Sequence, residues 1–321
     1  MNTSNAATST EHFCTLFDRN YLPLGMTLHA SLIRHAQPFH LWILCMDEQV
    51  EQQLNQIALP HVTLIPLKQV ETPELLAVKA GRTAGEYCWT LTPFIFQAVF
   101  ERDATVEQVT YLDADLFFFD HPQILLNELK QSQKHVLITE HAYAPEHEYR
   151  VPINGRYCVQ FVTFRRTKAA TKVMRWWQER CLQWCFNRVE EEKFGDQRYL
   201  DYWTEQFAEE VHVVQQVEKT LAPWNVNYFG QNKDKLKPVF YHYHGLRIVS
   251  PTKVRLYFEY PIGKQGLALY NYYLASLLDQ SKILTSLGIP IPCTPVPKQS
   301  FSALRHLKLR LNRQIAFRSI G

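Results

Sequence analysis

No stretch of this 321-residue chain is both apolar and uncharged over the ~20 residues that a membrane span needs. Residues 1–11 lack the cationic start and apolar run of an export signal, so the expectation is a cytoplasmic protein with a disordered N-terminus over 1–11. Its seven cysteines are odd in number and scattered through apolar runs, which excludes a disulfide framework and reads as free, buried thiols. Cys181 and Cys185 stand one helical turn apart, but a metal site there would need two further ligands. There is no internal repeat. The 34 Lys and Arg only slightly outnumber the 31 Asp and Glu, which argues against a nucleic-acid binder. No Asp or Glu follows Asp279, whereas Lys282, Lys298, Arg305, Lys308, Arg310, Arg313 and Arg318 do. Those seven cations exceed the net charge of +3, so the preceding residues are net acidic.

What is present is ample apolar material, 46% of residues, arranged in alternation. Strands are expected at 12–17, 40–46, 61–67, 108–119, 134–140, 156–166, from 211 and at 239–245. Helices are expected at 23–35, 48–57 (with Asp47 as cap), 73–80, 92–101, 168–188, 195–207 and 265–279. Strand alternating with helix predicts an α/β protein with a mostly parallel, doubly wound sheet flanked by helices. Tryptophans on the 168–188 helix share a face with Val173 and Cys181 and read as packing. The domain reading is a main domain over 12–250, a C-terminal helical extension over 251–288, and a Pro-rich linker with a basic tail over 289–321. In that tail Leu304, Leu307, Leu311 and Ile315 form an apolar stripe among cations, as in an amphipathic helix suited to an anionic membrane surface.

The strongest chemical signal is Tyr111-Leu112-Asp113-Ala114-Asp115. A hydrophobic strand delivers two carboxylates at its carboxyl end, where an open α/β sheet has its ligand crevice. Residues i and i+2 of a strand share a face, so both acids can converge on one cation. Hard oxygen ligands suit Mg²⁺ or Mn²⁺.

In motif order and content, over about residues 12–250, the chain resembles nucleotide-sugar-dependent glycosyltransferases of the GT-A fold, nearest to family 8 and to related bacterial surface-polysaccharide transferases. The resemblance implies that Asp113 and Asp115 are the Asp-x-Asp motif that holds a divalent metal, with His242, or His244, as third ligand. It implies that Asp18 contacts the base of the donor, Asn20 the ribose, and that Tyr21 stacks on the base. Lys79 and Arg82, in KAGRTAGEYCWTLTP, and Arg247 are candidates to neutralise the diphosphate. Asp196 and Gln197, in FGDQRYL, would act at the donor sugar, Asp196 on its hydroxyls and Gln197 near the anomeric carbon. Trp224 and Asn225 would contact sugar, and Gln160 would substitute for an Asn-x-Gly motif absent from Cys158-Val159-Gln160.

The implied activity is metal-dependent, retaining transfer from a nucleoside-diphosphate sugar, a UDP-sugar, to a glycan or lipid-linked acceptor. If the enzyme inverts instead, Asp196 or Glu140 must act as base. The implied location is the cytoplasmic, inner face of the cell membrane, through the basic tail. Two rivals stand beside it. An Asp-nucleophile phosphohydrolase usually wants its motif near the start and Thr or Val at position 117, which here is Phe. A non-catalytic nucleotide-sugar binder would bind donor without turnover. A nucleotidyltransferase is disfavoured because 18–30 lacks a Gly-rich basic loop.

Overall fold

The computed structural model describes residues 10–231, 233–294, 309–310 and 312–319. In chain order the elements are β1 (Glu11–Phe17), α1 (Leu22–His35), β2 (Phe39–Cys45), α2 (Glu48–Ile57), β3 (Val62–Pro66), α3 (Pro73–Lys79), α4 (Ala84–Arg102) and β4 (Gln108–Leu112). There follow β5 (Leu116–Phe118), α5 (Gln123–Ser132), β6 (Val136–Glu140), α6 (Val151–Asn154), β7 (Tyr157–Arg165), α7 (Lys168–Gln183), α8 (Leu200–Gln206) and β8 (Val211–Val213). The last are β9 (Thr220–Leu221), α9 (Val226–Phe229), β10 (Phe240–His242), β11 (Arg247–Ser250), β12 (Lys253–Phe258), α10 (Gly263–Ser286) and β13 (Ile315–Ser319).

Seven strands form the central sheet in the order β3-β2-β1-β4-β7-β6-β8. Strands β3, β2, β1 and β4 run parallel, and β8 runs parallel to β6. Only β7 opposes its neighbours. This is the mostly parallel α/β sheet expected from the alternation. Its middle strands are apolar on both faces because helices cover both; β7, YCVQFVTFR, is buried along eight of its nine residues. From β1 the chain winds out to β2 and β3, then returns to place β4 on the other side of β1. That reversal puts a crevice at the carboxyl ends of β1 and β4.

A second sheet, β5-β10-β9, stands at the end of the first. Strand β5 runs antiparallel to β10, with His242 opposite Leu116. The expected single strand over 108–119 is therefore two. The chain turns at Asp113-Ala114-Asp115, closed by a Leu116 N–H to Asp113 carbonyl bond of 3.1 Å, and changes sheets. Tyrosines 241, 243, 270 and 273 fill the space between this sheet and α10. The third sheet, β11-β12-β13, is antiparallel and its first hairpin spans residue 250.

Three expectations are corrected. Helix α4 begins at Ala84, not near 92: Thr83 and Glu86 make a reciprocal capping box, and the helix continues through Pro93. Helix α10 extends to Ser286. The amphipathic helix expected over 301–318 is contradicted at its end, where Ile315–Ser319 is a strand paired to β12. Leu304, Leu307 and Leu311 lie outside the described residues.

Candidate metal and donor site

The acidic pair owes its geometry to the turn between two sheets rather than to strand alternation. Asp113 is anchored by its own N–H, 3.1 Å from the Gln160 carbonyl of β7. Asp115 is anchored through its carbonyl, which accepts from the Tyr243 N–H at 2.9 Å. That second bond continues the β5–β10 pairing and brings His242 alongside. The His242 Nε2 lies 3.0 Å from Asp115 Oδ1 and 3.7 Å from Asp113 Oδ2. One ligand atom from each of the three residues lies within 4.8 Å of the others. Two carboxylates and one imidazole are a hard, nearly complete set for a divalent ion, and the Asp113 side chain remains 29% exposed, open to a further ligand. Of the two candidate histidines, His242 is the one in this cluster; His244 is exposed, its ring 5.6 Å from that of His242.

The electrostatics favour a cation. Burial alone would lower the His242 pKa, but Asp115 first, then Asp113, hold it well above the ordinary imidazole value. Burial would raise Asp115; the facing His242 outweighs it and brings the carboxyl down to about 2. Asp113 is pushed up to about 6 by burial, with repulsion from Asp115 adding and His242 opposing. Tyr111 donates its hydroxyl to Asp113 Oδ1 at 3.0 Å. Asp196 is pushed up to about 8 by burial and by the charge of Asp113. It caps no helix: its side chain makes no capping bond, and its carbonyl accepts from Trp177 Nε1 at 2.9 Å. Gly195 precedes it at φ +54°, with the Trp89 ring 3.1 Å from where a Cβ would stand, so glycine permits this approach to α4.

At the end of β1, Asp18 accepts from the backbone N–H and the side-chain amide of Asn20, at 2.9 and 2.8 Å. Gly25 lets α1 close over that strand; a Cβ there would stand 2.4 Å from the Phe17 ring. Tyr21 faces the acidic cluster. Its hydroxyl is pushed up to about 12, by burial first, and the charges of Arg247, Asp115, Asp18 and Asp113 all act on it. The Arg247 guanidinium sits 5.4 Å over the Tyr21 ring. Cys88 of α4 feels both Asp18 and Asp196. The crevice thus gathers Asp18, Tyr21, Asp113, Asp115, Asp196, His242 and Arg247 around one end of the sheet.

Other candidates stand elsewhere. Gln160 is fully buried at 0% exposure, so it cannot touch substrate; its Oε1 lies 2.8 Å from His242 Nδ1. Asn225 is 1% exposed, bonding the Ala222 N–H and the His141 carbonyl. Trp224 is 4% exposed, donates to that same carbonyl at 2.6 Å, and sets its ring edge-on to His242 at 5.5 Å. Both pack behind the site rather than lining it. Lys79 pairs with Glu71 at 2.6 Å. Arg82 ties Thr90 to the Leu182 carbonyl. Neither of these cations is directed at the acidic cluster. Gln197 donates to the Asn154 carbonyl at 2.6 Å. The sequence reading missed Tyr111 and Thr92, the latter a hydrogen-bond partner of Asp196; a tyrosine two residues before the first acid was the available signal. A groove of about 740 Å³ along α7, lined by Lys168, Lys172, Arg175 and Trp176, lies at the opposite end of the sheet and gathers no acids of this kind.

The sheet order, the turn with two acids and the crevice beside it define a class: the fold is the GT-A fold of glycosyltransferases. The apo form of the glycosyltransferase GlyE of Streptococcus pneumoniae TIGR4 aligns with a TM-score of 0.53 at 15% identity, covering 91% of this chain and 66% of GlyE. Galactosyltransferase LgtC, solved with donor and acceptor sugar analogues, aligns with a TM-score of 0.50 at 12% identity, covering 94% of this chain and 99% of LgtC. At such identities the likeness is one of fold. No family model matches the chain. The uncharacterized protein YfnD of Bacillus subtilis strain 168 is 33% identical over 281 residues, 84% of this chain and 89% of YfnD. The chain belongs to the family of YfnD.

Proposed function

We propose that this protein is a metal-dependent glycosyltransferase that moves a sugar from a nucleoside diphosphate, as in a UDP-sugar, to a hydroxyl of a glycan or lipid-linked acceptor. The observation that carries the reading is the convergence of Asp113, Asp115 and His242 Nε2 where β4 leaves the central sheet of a GT-A fold. These three residues would hold Mn²⁺ or Mg²⁺, which when bound neutralises the diphosphate as it departs.

The chain's own residues divide the remaining work. Asp18, Asn20 and Tyr21 lie past β1 and would receive the nucleoside. Arg247, beside Tyr21 and Asp115, adds positive charge on the diphosphate side. A buried Asp196 that keeps its proton at neutral pH can both donate to and accept from sugar hydroxyls. With its amide nitrogen committed to Asn154, Gln197 offers its oxygen to the positive charge that develops at the anomeric carbon. In a retaining transfer the bond from the anomeric carbon to the phosphate oxygen breaks, the acceptor oxygen bonds to that carbon, and the leaving phosphate takes the acceptor proton. Attachment to an anionic membrane surface, drawing on the cations after Asp279, would bring a lipid-linked acceptor within reach.

Thermal-shift screening of nucleotide sugars with and without Mn²⁺ tests the reading. The expected hit needs the metal and disappears in Asp115→Ala. A donor that stabilises the protein equally without metal, and equally in the variant, would overturn it.

A further inference from the structure

We propose that Gln160 is a positioning residue that decides which nitrogen of His242 is presented to a cation. The inference rests on the reading of Asp113, Asp115 and His242 as the cation's ligands and goes beyond it. It begins at a group with no choice: the Cys158 carbonyl can only accept a hydrogen bond. The Thr139 hydroxyl lies 3.4 Å from that carbonyl and spends its proton there. Its oxygen is then left to accept, and the Gln160 amide nitrogen, 3.3 Å away, donates to it. The Gln160 amide is thereby oriented, with Oε1 turned to the imidazole. Because Oε1 can only accept, the His242 Nδ1 that lies 2.8 Å from it must carry a proton. Nε2 is therefore the nitrogen left to give up its proton to a cation, and it is Nε2 that faces Asp115 at 3.0 Å and Asp113 at 3.7 Å.

A flipped amide would set its NH₂ against Nδ1, require the lone pair there and hold the ring proton on Nε2, so that a cation at the acids would meet an N–H. The relay runs from β6 through β7 to β10, so it joins the central sheet to the strand that carries the ligand. Every member is buried: Thr139 and Gln160 at 0% exposure, Cys158 and His242 at 4%. Partners that hold the far nitrogen of a ligating histidine typically matter by about 10- to 100-fold in metal affinity.

The test is Mn²⁺ binding by calorimetry on the intact chain without donor, together with ¹⁵N NMR of His242 in the Mg²⁺-loaded wild type. Gln160→Leu is expected to weaken Mn²⁺ binding by about 10- to 100-fold. Gln160→Glu, which can still accept from Nδ1, is expected to keep it. Thr139→Val, which releases the amide's orientation, should fall between. The NMR signature expected is an exchange-protected proton on Nδ1. Binding by a folded Gln160→Leu variant as tight as wild type overturns the proposal while leaving the metal site standing; a proton found on Nε2 in the loaded protein overturns both. Should Gln160→Leu fail to fold, Thr139→Val decides: Mn²⁺ binding as tight as wild type in that variant overturns the proposal. A wild-type chain that binds no Mn²⁺ overturns this proposal and the metal reading together.

Discussion

Asp196 shows how burial beside another acid gives one side chain a pH dependence. Its carboxyl is pushed up to about 8 in the folded protein, chiefly by burial and then by Asp113. Between the ordinary carboxylate range and that value the folded protein keeps a proton that the unfolded chain has released. Folding is therefore coupled to proton uptake, and the stability this gives is full at acid pH and drains away as pH rises towards about 8. Asp196→Asn keeps the shape and removes the titration. In metal-free melts, wild type should lose more of its melting temperature between pH 5.5 and 8.5 (roughly two pKa-sized steps) than the variant does. Parallel curves would show that Asp196 ionises normally. At this scale the sequence is legible where chemistry is written in residue type and spacing, as in Asp113, Asp115 and His242. It misleads where a polar side chain turns inward. Gln160 and Asn225 look like ligand-binding groups in a string of letters, but β7 is covered on both faces and Asn225 spends its amide on backbone. Only the fold distinguishes a hydrogen bond to substrate from one to a neighbour.

Among the elements, local capping and tertiary pairing decide the outcomes in opposite directions. Helix α2 was readable to the residue because Asp47 accepts from the Val50 N–H at its start. Helix α4 carries an equally local signal, the Thr83–Glu86 box, but Pro93 and the glycines at 81 and 85 mask it. Thr83→Ala should cost about 1 kcal/mol in urea unfolding, and a loss within error of zero would show that packing alone sets the start of α4. The apolar run 108–119 gives no local sign of its break. The break is imposed by β10, which pairs with Leu116–Phe118 and turns one strand into two. Likewise Ile315 falls in a helical leucine spacing yet belongs to a strand, because β12 offers an edge that a helix cannot satisfy.

Across the whole molecule, the reversal of winding between β1 and β4 explains why residues nearly a hundred positions apart meet. Asp18 follows one strand and Asp113 the other, and the second sheet carries His242 in from far along the chain. The alternation of strand and helix made the architecture readable, since a parallel sheet needs its crossovers. The antiparallel insertion of β7 and the small sheets were less so, because short strands leave weak patterns. At this scale the membrane reading meets its own check. Arg313→Gln with Arg318→Gln, which leaves β13 paired to β12, should reduce co-sedimentation with vesicles rich in anionic lipid while donor hydrolysis persists; unchanged partition would remove these cations from the account. The central claim is tested most directly by anomalous diffraction from crystals soaked in Mn²⁺ and a nucleoside diphosphate. The account predicts one strong peak bonded to Asp113, Asp115 and His242 Nε2, with the diphosphate on its open side. A peak elsewhere, with His242 still paired to both acids, would contradict it.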